Sequence, residues 1–113
     1  MEETKKRATV TGREPTLPPD SPAPHPIEPS TGQHGDHWVL PAEERAKGFV
    51  RPVRTSYRHD RCGTVTTMPR PIAETYARQP GYYGRTFCCA CKDYLPVGAA
   101  GEFSWDDGSK VGS

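Results

Sequence analysis

The chain has 113 residues, 33% of them hydrophobic and 13 of them proline, with a formal net charge of +1. Length allows one domain at most, and the near-zero charge by itself points to no class of partner. No run approaches the length of a membrane span, so no helical membrane protein is expected.

The prolines gather at the front. Seven of the 13 (Pro15, Pro18, Pro19, Pro22, Pro24, Pro26 and Pro29) lie within residues 1–40. Between Val10 and Trp38 the only aliphatic side chains larger than alanine are Leu17 and Ile27. So little apolar surface does not offset the entropy of folding, so residues 1–37 are expected to form an extended Pro-rich arm without regular structure. Met1–Arg7 is charged and leads into no apolar segment, so a secretory signal is not expected. The expectation is a protein made in the cytoplasm and not secreted. In that reducing compartment cysteines serve as metal ligands more often than as disulfides.

Folding sequence begins at Trp38, giving an expected domain over 38–113. "HWVLP" reads either as an apolar anchor for a partner, through Trp38, Val39 and Leu40, or as a cap on the domain's own core. Residues 41–47 suit a short helix, with Pro41 at the first position, Glu43 and Glu44 at the positive end and Gly48 as its stop. Phe49–Tyr57 is rich in β-formers, but Pro52 demotes it to an edge strand or an irregular extended segment. Thr64–Met68 is a clearer strand. Residues 71–79 form the best helix, opened by Pro71, with Ile72 and Tyr76 on one face and Pro80-Gly81 ending it. Arg85–Ala90 is expected to be extended. Residues 102–112 read as a closing hairpin, with Asp107-Gly108 in the turn.

A domain of this size seldom draws more than roughly 3–5 kcal/mol from its core and usually needs a staple. The cysteines supply one. "YRHDRCG" offers His59-x2-Cys62 and "FCCACKD" offers Cys88-x2-Cys91. Two residues between ligands let a tight turn aim both side chains at one metal, and two such turns complete a tetrahedron. The competing readings are buried free thiols or a disulfide from Cys62 to the cluster. Cys89 lies inside the second turn at the wrong spacing to Cys91 and reads as a small buried hydrophobe. His34 and His37 share the x2 spacing but read as solvated arm residues.

This paired pattern resembles the zinc-ribbon, or zinc-knuckle, family over roughly residues 57–95, with histidine in place of the usual first cysteine. The resemblance implies one structural Zn2+ held by His59, Cys62, Cys88 and Cys91. The expected fold is a small, β-rich α+β domain of zinc-ribbon type, stapled by that metal and preceded by the arm. Residues 48–98 also resemble small zinc-ribbon proteins encoded by tailed phages. That resemblance implies a phage setting and virion association, in capsid-decorating or stabilising pieces or in accessory host-takeover factors.

No enzyme is expected. Three cysteines and a histidine close the shell that a catalytic zinc keeps open. The deaminase pattern fails because Arg61 stands where its glutamate belongs. Two binding readings remain. The first is an interaction protein in a multi-subunit assembly, its arm lying along protein neighbours. The alternative is nucleic-acid binding. Residues 45–85 carry nine basic side chains against two acidic ones, a local +7. Arg51, Arg54, Arg58 and Arg61 flank the first metal turn, with Tyr82 and Tyr83 for stacking. Three thiolates and Zn2+ would bring the whole chain from +1 to neutrality, which disfavours a polyanion partner.

Overall fold

Tyr57 and His59 are buried while Arg58 between them is exposed, the alternation of a strand with one face on a core. That strand, β3 (Ser56–His59), is central. It pairs antiparallel on one side with β4 (Val65–Thr67) and on the other with β7 (Phe103–Trp105). Residues 49–55, around Pro52, form no strand, and pairing starts four residues beyond that proline. The computed structural model describes residues 7–18 and 20–113; residues 1–6 and 19 of the expected arm lie outside the described residues.

The remaining elements surround this sheet. Helix α1 is Ala42–Arg45, within the span expected over 41–47, and Gly48 beyond it takes φ +115°. Helix α2, Arg70–Arg78, starts one residue earlier than expected and buries Ile72, Ala73, Thr75, Tyr76 and Ala77 on one face. Arg45 bridges the two helices through Glu74 at 2.6 Å. Strands β5 (Arg85–Cys88) and β6 (Asp93–Pro96) form a separate antiparallel hairpin. The sequence reading places no strand over 93–96. Here Tyr94 and Leu95 are half-buried, and pairing with β5 satisfies their backbone. After β7 the chain turns with Gly108 at φ +89° and returns through a single bridge, Ser104 to Lys110, so the main partner of β7 is β3.

Phe103, Tyr57, Trp105, Tyr76 and Tyr83 form a continuous aromatic row, with centroids 5.5, 6.3, 5.5 and 4.7 Å apart in that order. The Tyr57 hydroxyl donates to the Phe87 carbonyl, tying β3 to the β5–β6 hairpin. Burial holds that hydroxyl protonated, pushing its pKa up to about 12. With the Cys89 amide donating to Thr66 Oγ1 on β4 at 3.3 Å, this link sets the two x2 turns side by side.

Strand β1 (Ala8–Thr9) pairs with β2 (Trp38–Val39), and Ala8 and Val10 pack against the core. The boundary expected after residue 37 falls inside this pairing. Among the described residues of 7–37, paired structure is confined to β1 and an isolated bridge between Ile27 and His34. No helix among the described residues is long and apolar enough to cross a membrane.

Candidate metal centre

Two turns of the same construction carry the four expected ligands. His59 ends β3; its carbonyl accepts from the Gly63 amide at 2.7 Å, and Gly63 takes φ +76°. Cys88 ends β5; its carbonyl accepts from the Lys92 amide at 2.8 Å, and Lys92 takes φ +54°. In each turn the first ligand is buried at a strand end and the second is exposed in the turn, followed by a left-handed residue. Glycine meets that demand at position 63, and lysine meets it at a cost of about 1–2 kcal/mol. Gly63→Ala is expected to destabilise the protein by about that amount through its backbone alone, since an added Cβ would meet nothing within 4 Å. Lys92→Gly should stabilise it by about 0.5–1 kcal/mol once glycine's greater chain entropy is subtracted. Urea unfolding of both variants checks the opposite signs.

The ligand atoms converge. Nδ1 of His59 is 3.2 Å from Cys62 Sγ and 3.5 Å from Cys91 Sγ, and Cys62 Sγ is 3.6 Å from Cys88 Sγ. All four atoms lie within 4.8 Å of one another. Zinc bonds of about 2.3 Å to sulfur and about 2.0–2.1 Å to nitrogen imply tetrahedral edges of roughly 3.5–3.8 Å, so this cluster is sized for one ion. A disulfide is a different geometry: its sulfurs sit about 2.05 Å apart, and all four cysteines are free. Among the described residues no other group of three or more histidine, cysteine or acidic side chains is placed to hold a metal.

The clustered groups perturb one another's protonation. The Thr64 amide and hydroxyl pull the Cys62 thiol down to about 6, while its hydrogen bond to Cys88 pushes Cys91 up to about 11. Burial disfavours a charged His59, yet hydrogen bonds to Glu102 and Cys62 overcome it and raise the imidazole above its usual value. Sulfurs this close cannot all ionise unaided, because each thiolate repels the next. A divalent ion would remove that conflict.

The other singled-out residues lie elsewhere. Cys89 is exposed, not a buried hydrophobe. Its sulfur accepts from the Thr66 hydroxyl at 3.4 Å, and it is not one of the clustered ligands. Trp38, Val39 and Leu40 are 7%, 0% and 6% exposed, so they belong to this chain's own interior rather than to an open surface. Arg54 is turned inward, its guanidinium 4.7 Å from the Trp105 ring and 2.8 Å from Asp107. Arg51 donates to the Ser113 and Val50 carbonyls, Arg58 lies 3.7 Å from Asp60, and Arg61 is exposed. Tyr82 is buried against Tyr83, whose hydroxyl donates to the Trp38 carbonyl. Nitrogens of His34 and His37 are engaged by the His25 carbonyl and the Tyr94 hydroxyl.

Sequence reasoning passes over one residue at the site. Glu102 meets His59 across 43 positions at 2.7 Å. Its local signal is slight, a lone acid before the alternating Phe103 and Trp105. Compared with family models, curated proteins and solved structures, the chain matches none.

Proposed function

We propose that the chain is a non-enzymatic, zinc-stapled interaction protein in which His59, Cys62, Cys88 and Cys91 hold one structural Zn2+. The observation carrying this reading is the closed set of four ligand atoms within 4.8 Å. A mixed sulfur–nitrogen tetrahedron suits zinc, and four protein ligands leave no position for a reacting water. Placement of each ligand pair at the tip of its own hairpin supports the zinc-ribbon assignment. A phage setting and a place in a multi-subunit assembly, with the arm along protein neighbours, draw their support from the resemblance over residues 48–98.

Nucleic-acid binding is the second reading, favoured by one feature. Tyr82 and Tyr83 line a crevice of about 440 Å3 with Trp38, Tyr94 and Arg85, an aromatic surface beside an exposed cation. Against it, Arg54 and Tyr82 are already committed within the fold.

The deciding experiment measures metal content of the chain purified without chelator, then titrates the loaded protein with single- and double-stranded oligonucleotides at two salt concentrations. The proposal expects one zinc per chain and no oligonucleotide binding at low salt. Metal-free protein would overturn the zinc assignment. Micromolar binding that weakens steeply with salt would overturn the interaction reading in favour of nucleic acid.

A further inference from the structure

The imidazole of His59 is held from the side opposite the cysteines. Its Nε2 donates to Glu102 Oε1 at 2.7 Å, and its ring lies against Phe103 with centroids 4.9 Å apart and planes at 31°. An ionised carboxylate only accepts, so the hydrogen of this bond belongs to Nε2. In a neutral imidazole the lone pair then resides on Nδ1. Nδ1 is the nitrogen that faces Cys62 Sγ and Cys91 Sγ.

Glu102 is itself anchored. Its carbonyl accepts from the Asp60 amide at 2.8 Å, directly after His59, and its own amide donates to the Pro96 carbonyl at 3.0 Å. The pairing of His59 with Phe103 brings Glu102 level with the first turn. The His59 side chain is 4% exposed and that of Glu102 26%, so the bond is largely shielded from water. Partial desolvation strengthens a charge-assisted hydrogen bond of this length.

We propose that Glu102 is the positioning residue of the metal centre: by accepting from Nε2 it fixes the tautomer and plane of His59, so that Nδ1 is the ligating nitrogen. The inference rests on the zinc reading above and extends it to a residue outside the two x2 turns. A carboxylate behind a metal-bound imidazole orients the ring and makes it a stronger donor, and losing such a partner commonly weakens metal affinity about 10–100-fold.

The test uses the full chain loaded with zinc. Nitrogen-15 NMR of His59 should show Nε2 protonated and Nδ1 ligated, a signature that a merely structural ion pair would not set. Chelator competition should show zinc affinity reduced about 10–100-fold in Glu102→Ala. Glu102→Gln, whose amide oxygen still accepts from Nε2, should recover most of the loss. Lys110→Ala, which removes the neighbouring ion pair to Asp60 at 2.6 Å without touching His59, should bind as the unaltered chain does. Ligation through Nε2, or unchanged affinity in Glu102→Ala, would overturn this inference and leave the zinc assignment standing. An unaltered chain that takes up no zinc would overturn both.

Discussion

Replacing Cys62 or Cys88 by serine is expected to leave the chain unfolded at room temperature, while Cys89→Ser stays folded and zinc-loaded. A structural zinc contributes on the order of 10 kcal/mol in small domains. A core of this size supplies roughly 3–5 kcal/mol, so loss of one of four ligands exceeds the reserve. Cys88 adds to that loss because it is fully buried and belongs to the same core cluster as Val39 and Phe103. Cys89 is exposed, and a serine there can keep the contact with Thr66, so its effect should stay within about 0.5 kcal/mol. Circular dichroism and bound-metal analysis of the three variants decide the matter. Equal damage from Cys88→Ser and Cys89→Ser would mean that the wrong cysteine has been assigned, and a folded, zinc-loaded Cys88→Ser would remove it from the site.

Phe103→Ala should produce the next largest loss, about 3–5 kcal/mol. The ring is 0% exposed, and its centroid lies 5.5 Å from that of Tyr57, in a T-shaped pair, and 4.9 Å from that of His59. Removing it opens a cavity in the aromatic row and frees the ring of a proposed metal ligand. The two consequences separate by linkage. Raising free zinc to about a hundred times its dissociation constant returns about 2.7 kcal/mol to any state that binds it natively. Denaturant unfolding of Phe103→Ala at low and high zinc should therefore show partial recovery. If stability were independent of zinc in this variant and in the unaltered chain, the coupling between core and metal would be absent.

The parts of this protein legible in its sequence are those settled within a few residues. Pro71 and Pro80-Gly81 bracket α2, and the helix departs from its expected span by one position. The His59-x2-Cys62 and Cys88-x2-Cys91 pairs are local in the same sense. Each needs only a turn that returns an amide to the first ligand's carbonyl, which Gly63 and Lys92 provide. Composition alone called for a staple, since few apolar residues are available to bury.

Tertiary structure decided what lies across strands. The expected extended run over 85–90 gave no sign that Asp93–Pro96 would fold back beside it, because pairing depends on the partner more than on propensity. Trp38, Val39 and Leu40 suit an exposed anchor or a core cap equally by type. The Thr75 hydroxyl on α2, accepting from the Leu40 amide at 3.2 Å, places them inside. Cys89 is hydrophobic enough to be buried, yet the second turn must aim Cys88 and Cys91 at one point, which leaves the residue after Cys88 facing outward. The meeting of Glu102 with His59 was beyond any local pattern. It depends on which residue of β7 stands opposite His59, and a one-residue slip in that register would turn Phe103 to the other face of the sheet and carry Glu102 out of reach of the imidazole.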